Sequence, residues 1–181
     1  GAVDHRAVRH ALGRFATGVA VVTTRTPDGK LEGLTANSFS SVSLDPPLVL
    51  WCLNRDAASA PGFAAAGMFA INVLGAHQHA LSRHFATPIA DKFAGLGWRA
   101  GETGSPLLDD CAATLDCRVE EVFDLKDGHK LILGRVLAFP RPVHPWAAPA
   151  LAAAPLGRVT APSFPAQAIP VRSRESDVRP R

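Results

Sequence analysis

Two places in this 181-residue chain concentrate side chains suited to chemistry. The denser is Thr35-Ala-Asn-Ser-Phe-Ser-Ser41, which packs four hydroxyls and one carboxamide into seven residues. Short hydroxyl and amide side chains beside exposed backbone N–H groups can hydrogen-bond a phosphate, a polyol chain or the edge of a flat heterocycle. The same residues also suit a polar edge turn whose Ser and Asn side chains bond the local backbone. Composition alone leaves both readings open. The second place is His129, preceded by Asp127-Gly128. A single imidazole there is either a ligand-facing group or a solvated surface ring. Arg55 is open in the same way, between a phosphate partner and a solvated cation.

Other groupings fail on spacing. Cys52, Cys111 and Cys117 are odd in number and lack ligand-pair spacing, so neither a disulfide framework nor a zinc site is indicated, and all three are expected to be reduced and semi-buried. His77 and His79 stand two apart in a helical stretch and do not share a face. Asp109-Asp110, read as neighbours in a strand, would point to opposite sides of it. Gly95-Leu-Gly-Trp-Arg-Ala-Gly101 misses the dinucleotide fingerprint at its last spacing. No metal site is expected.

The elements that must hold these residues follow from periodicity. Asp4 caps a helix carrying Val8, Ala11, Leu12, Phe15 and Ala16 at helical spacing, and Gly18 closes it. The β-branched run after it, Val19 to Thr24, reads as a buried strand. Pro27-Asp28-Gly29 turns the chain into a second strand around Leu31 to Thr35. Ser38 to Ser43 is short and polar, and Asp45-Pro46-Pro47 blocks both helix and ladder donation. Leu48–Leu53 and Met68–Leu74 read as strands, Ala57–Ala66 and Gln78–Phe85 as short helices, and residues 88–110 as loop. Cys111–Val122 and Lys130–Phe139 are two longer strands joined through Lys126-Asp127-Gly128. Five or six strands with short helices and hairpin links favour a mainly β chain forming a small antiparallel barrel over a doubly wound parallel sheet.

Composition sets the outer bounds. Apolar residues make up 47% and charged residues 19%, ordinary for a globular chain with one core. The apolar runs are too short to span a bilayer, and no basic-then-apolar leader opens the sequence as given. Cytoplasmic placement is therefore expected, with no membrane partner. The net charge of +3 is carried by residues 140–181, which hold +4 and leave residues 1–139 at −1. A near-neutral body lacks the basic face that nucleic acid requires. Nine of the 15 prolines and nine alanines fall in those last 42 residues, so two parts are expected: a folded unit over 1–139 and a Pro/Ala/Arg-rich, divergent or disordered tail over 140–181.

Several segments in order carry a resemblance. Phe15-Ala-Thr-Gly-Val-Ala-Val-Val-Thr-Thr24, Gly33 through Val49, Phe69-Ala-Ile-Asn-Val-Leu74, Leu81-Ser-Arg-His-Phe-Ala86, Asp91-Lys-Phe93 and Gly134-Arg-Val136 together resemble the flavin-reductase-like, FMN-binding split-barrel family. The likeness covers roughly residues 6–139. It implies a Greek-key split β-barrel that binds FMN or FAD and uses NADH or NADPH as co-substrate. The implied activity is NAD(P)H:flavin oxidoreduction, supplying reduced flavin to a partner monooxygenase. A homodimer with flavin near the subunit interface is implied too.

Carried over by position, the resemblance places Thr35, Ala36, Asn37, Ser38, Ser40 and Ser41 along the flavin and Ser59 at its phosphate. Arg83 and Phe85 fall at further flavin contacts, and Cys52 and Asn54 complete the cofactor-binding set, with wall packing the plainer reading for Cys52. His129 falls in the nicotinamide pocket as the catalytic candidate, with Gly134 in register. Here the family's Gly-Asp-His order is exchanged to Asp-Gly-His. After Phe139 the chain departs from the family's Arg-Gly-Arg-like final strand, and it contains no Tyr. Two other readings stand beside the leading one: a flavin carrier with little turnover, and a pyridoxamine-phosphate-oxidase-like split barrel.

Overall fold

The computed structural model describes residues 3–139. The expected tail over 140–181 lies outside the described residues. Asp4 caps α1 (His5–Leu12) by accepting the Arg6 N–H through its side chain, and Gly13, not Gly18, closes the helix. No residue of α1 is buried: Val8, Leu12 and the following Phe15 all face outward.

β1 (Ala20–Arg25) and β2 (Leu31–Ala36) form the expected hairpin. Gly29 takes φ +89° in its turn, a left-handed conformation that glycine adopts without steric cost. The polar segment after Asn37 is a strand in its own right, β3 (Ser40–Leu44), which reverses through Asp45-Pro46 into β4 (Pro47–Asn54). An edge strand tolerates this composition because only one of its sides must pair. β4 is followed by α2 (Ala60–Ala66), β5 (Met68–Val73), a short 3₁₀ turn and α3 (His79–Ala86).

The stretch read as loop contains a small ribbon, β6 (Trp98–Ala100) paired with β7 (Pro106–Leu108). Three-residue strands are too short for alternation to show in sequence. Asp109 and Asp110 lie in the turn after β7, with Asp110 at φ +59°, so the strand alternation considered for the pair does not apply. β8 (Ala113–Asp124) and β9 (His129–Ala138) are the long final hairpin.

Seven strands form one antiparallel sheet in the order β2-β1-β5-β8-β9-β4-β3. The sheet wraps one core of Trp51, Phe63, Phe69, Ile71, Val22 and Leu53. A second cluster, Val21, Leu74, Phe85, Phe93, Leu108 and Cys111, fills the space between the sheet, α3 and the β6–β7 ribbon. β1 therefore has both faces covered, which explains its unbroken apolar and β-branched run. Asn72 bridges the layers from within: its Nδ2 donates to Val21 O and Thr23 Oγ1, and its Oδ1 accepts the Leu108 N–H. A fully buried carboxamide is stable only when its donors and acceptor are satisfied in this way.

On β4 the alternation is plain. Val49, Trp51 and Leu53 are buried in the core, while Leu48, Leu50 and Cys52 on the opposite face are only half-buried. Leu131 and Leu133, paired with Cys52 and Leu50, continue that apolar face onto β9.

Candidate functional site

The strand order brings the C-terminal end of β4 against the N-terminal end of β9, so that Asn54 pairs directly with His129 and Cys52 with Leu131. Extending the β3–β4 register, in which Ser40 faces Leu50, would set Ser38 opposite Cys52. Ser38 precedes the strand, and its hydroxyl takes over the ladder: Oγ accepts the Cys52 N–H at 2.9 Å. The loop after β2 is thereby pinned to the end of β4. Next to it, Asn37 and Ser40 are exposed and Ser41 lies on the open side of β3.

Beyond Asn54 the chain folds tightly. Asn54 Oδ1 accepts the Asp56 N–H, and the Arg55 N–H donates to Gly128 O across to the β8–β9 turn. This turn delivers Ser59, which is buried at the start of α2 and makes no side-chain capping bond. Arg55 is not a free cation: its guanidinium lies 3.3 Å from Asp124, which also takes Lys130 at 2.9 Å. Lys130 first, then Arg55, holds the Asp124 carboxyl below its usual range.

His129 is fixed by the exchanged tripeptide. Gly128 adopts φ +90°, and Asp127 folds back so that Oδ1 accepts the His129 backbone N–H at 3.0 Å and Oδ2 accepts from ring Nδ1 at 3.1 Å. The backbone bond, followed by the neighbouring ring, holds the Asp127 carboxyl below its usual value. A carboxylate on Nδ1 selects the ring orientation and leaves Nε2 for a ligand. Asp127 escaped the sequence reading as a site residue, although the displaced carboxylate beside Gly128 was its signal.

The remaining predicted residues fall differently. Ala36 is buried in the β1–β2 ladder opposite Ala20. Thr35 spends its hydroxyl inside the fold, donating to Ser82 O on α3 at 2.6 Å. Arg83, the next residue on α3, is exposed. Phe85 is not brought to this surface: its ring is 1% exposed and packs edge-on against Phe93 at 5.3 Å. In Leu-Ser-Arg-His-Phe-Ala, Arg83 and Phe85 stand two residues apart and so on nearly opposite faces, and helix geometry sends Arg83 outward while Phe85 goes to the core. Cys52 is half-buried on β4, on the same face as Leu50.

The donor set suits a partly polar, planar ligand. It offers Asn37 and Ser40 at the rim, an uncommitted Ser59 hydroxyl, and the half-buried leucine face on which a flat ring can lie. No group of three or more His, Cys, Asp or Glu able to hold a metal ion occurs among the described residues.

Comparison with known proteins gives the family of the chain. Residues 12–151 match the family described as "Flavin reductase like domain", and the chain belongs to that family. The "Probable flavin reductase" of Rhizobium meliloti (strain 1021) is 48% identical over 136 residues, 75% of this chain and 43% of that protein. "FMN reductase (NADH) SmoA" of Agrobacterium fabrum is 44% identical over 137 residues, 76% of this chain and 77% of that protein. The Streptomyces globisporus NADH:FAD oxidoreductase SgcE6, solved with NAD and FAD fragments, superposes with TM-score 0.72 at 38% identity, covering 82% of this chain and 88% of that one. The chain thus spans under half the length of the first of these relatives. These likenesses bear out the split-barrel fold read from the sequence.

Proposed function

We propose that this chain is an NAD(P)H-dependent flavin reductase that reduces FMN or FAD and releases it to a separate oxygenase. The observation that carries the reading is the cross-strand pair Asn54–His129, with its ring set by Asp127, at the edge of a half-buried leucine face in a chain of this family. Relatives named as an NADH-dependent FMN reductase and an NADH:FAD oxidoreductase support the same co-substrates here.

Flavin, when bound, supplies a ring that accepts a hydride from a reduced nicotinamide. The protein's part is to position and desolvate the two rings. In this reading the loop 35–41 and Ser59 hold the flavin, with Ser38 serving through its grip on Cys52 and Thr35 through its grip on α3. Arg83 faces the polar end, and Cys52 with the neighbouring leucines forms the wall. His129 orients the nicotinamide through Nε2. No nucleophile is needed.

The half-buried leucines of β4 and β9 support a homodimer, since a second copy would cover them beside the site. Residues 1–139 serve as the flavin-handling unit and 140–181 as an appended tail. Cytoplasmic placement is supported by three free thiols, which suit a reducing compartment. No helix among the described residues is long and apolar enough to cross a membrane.

The test is direct. Protein mixed with NADH or NADPH and with FMN or FAD should oxidise the nicotinamide, followed by absorbance. Flavin uptake without oxidation would instead support a carrier. Failure to take up either flavin at micromolar concentrations, the range of a moderate ligand, overturns the reading.

A further inference from the structure

The segment joining α3 to the ribbon carries a lysine whose ammonium is turned inward. Lys92 Nζ donates to Phe85 O at 2.8 Å and to Gly33 O at 3.1 Å. The first carbonyl belongs to the last turn of α3 and the second to the middle of β2. A short anchor holds the lysine in place: Asp91 Oδ1 accepts the N–H groups of Phe93 and Ala94, and His84 Nε2 donates to Lys92 O at 2.7 Å. Burial lowers the Lys92 pKa from its ordinary value. Such desolvation is tolerated when the charge meets strong acceptors, here including a helix C-terminal carbonyl that lacks a partner within the helix.

Beside this bridge runs a second one between the same two elements, from Thr35 Oγ1 to Ser82 O. On β2 the two attachment points are the Gly33 carbonyl and the Thr35 hydroxyl, two residues apart. On α3 they are 82 and 85, three apart and on one face. A single attachment would let the helix pivot about the strand. Two attachments along both elements fix its rotation about its own axis. Arg83 lies between Ser82 and Phe85 in sequence and on the exposed side of the helix, so fixing the helix rotation fixes where that side faces.

We infer that Lys92 is a positioning residue that fixes α3 against β2 and thereby aims Arg83 at the ligand held by the 35–41 loop. This rests on the flavin-binding reading above. The space for the bridge is already provided, because a Cβ at Gly33 would stand 2.6 Å from the Phe85 ring; the helix seats against bare backbone there.

The test is a double-mutant cycle on the whole chain, read as flavin dissociation constants from fluorescence titration. Lys92→Met should weaken flavin binding about tenfold, roughly the value of one or two charge-assisted hydrogen bonds expressed through alignment. Arg83→Ala should weaken it by a similar factor. The double variant should be no weaker than Arg83→Ala alone, because Lys92 acts through Arg83. Lys92→Arg, which keeps a cation able to reach two carbonyls, should recover most of the affinity. Circular dichroism and the melting temperature decide whether Lys92→Met is folded; if it is not, Lys92→Gln, which removes the cation but keeps an amide donor, takes its place in the cycle with Arg83→Ala. Additive losses in the cycle, or native affinity in a folded Lys92→Met, would overturn the inference. So would an Arg83→Ala variant that binds flavin like the parent. Wild-type protein that takes up no flavin would sink the functional reading itself, which is a separate outcome.

Discussion

Asp127 and His129 are joined twice, once through the backbone N–H of His129 at 3.0 Å and once through its ring Nδ1 at 3.1 Å, with Gly128 bent between them at φ +90°. The exchanged order of Gly and Asp thus still presents a carboxylate to the imidazole. If the ring orients the nicotinamide, the two residues belong to one device. His129→Ala should raise the KM for NADH severalfold while flavin affinity stays near the parent value. Asp127→Ala should move the same parameter in the same direction but less far, because the ring remains and only its orientation is lost. Steady-state kinetics with varied nicotinamide, beside a flavin titration, check both. An unchanged KM in both variants would remove the pair from the mechanism.

The acid limb of stability is set by carboxylates facing cations across the β8–β9 hairpin. Glu120 accepts from Arg135 through both oxygens, at 2.8 and 3.1 Å, and stands 3.5 Å from Arg118. The Arg135 hydrogen bonds hold the Glu120 carboxyl below its usual value of 4.5, as Lys130 does for Asp124. A lowered folded-state value means that the stabilisation is fully present above the unfolded value and is lost as pH falls through the folded one. Melting temperature measured from pH 6 down to pH 3 should therefore fall, and Glu120→Gln should flatten that fall while lowering the plateau only slightly, as befits exposed pairs. An equally steep fall in the variant would assign the acid limb to other groups.

Much of this arrangement was legible in the sequence because the relevant signals are local. The β1–β2 hairpin announced itself through the β-branched run of β1 and Pro27-Asp28-Gly29, and the long β8–β9 hairpin through Lys126-Asp127-Gly128 between two long strand-like stretches. β3 was not legible, since an edge strand of serines has the composition of a loop and owes its pairing to β4. The β6–β7 ribbon is too short to show a period. In the candidate site, residue type grouped Thr35 with Ser38, and the family resemblance grouped Phe85 with Arg83. Only the tertiary structure shows that Thr35 spends its hydroxyl on Ser82 and that Phe85 spends its ring on the core. Lys92 escaped because its acceptors, the Phe85 and Gly33 carbonyls, lie on two other elements, and Asp127 because its acceptance from His129 depends on the backbone bend at Gly128.

Gly134 has a steric reason to be glycine. A Cβ built there would stand 2.3 Å from the Phe69 ring, which is 1% exposed and wedged against Trp51 at a centroid distance of 5.8 Å. The ring has no open side to retreat into. Gly134→Ala should cost about 2 kcal/mol through overpacking, a fall of roughly 4–8 °C in Tm for a domain of this size. Phe69→Leu, by trimming the ring, should recover part of the loss when combined with Gly134→Ala, although alone it destabilises. Thermal melts of the three variants test this. A Gly134→Ala protein as stable as the parent would mean that the sheet can open locally at β9.

The three thiols should separate by reactivity. Burial pushes the Cys111 thiol up to about 11 and the Cys117 thiol up to about 12, the latter also raised by the neighbouring Asp116 carboxylate. At pH 8 their thiolate fractions are then on the order of one in a thousand and one in ten thousand, and both side chains are closed off by packing. Cys52 is only half-buried, on the wall of the candidate site. Native protein at pH 8 treated with a thiol-specific chromogenic reagent should label Cys52 first and leave Cys111 and Cys117 unmodified until denaturant is added. Saturating FMN should slow the Cys52 reaction, because a ring lying on the β4–β9 face covers that sulfur, whereas a flavin bound elsewhere leaves the rate unchanged. Peptide mapping of the labelled sites, with and without flavin, distinguishes the two.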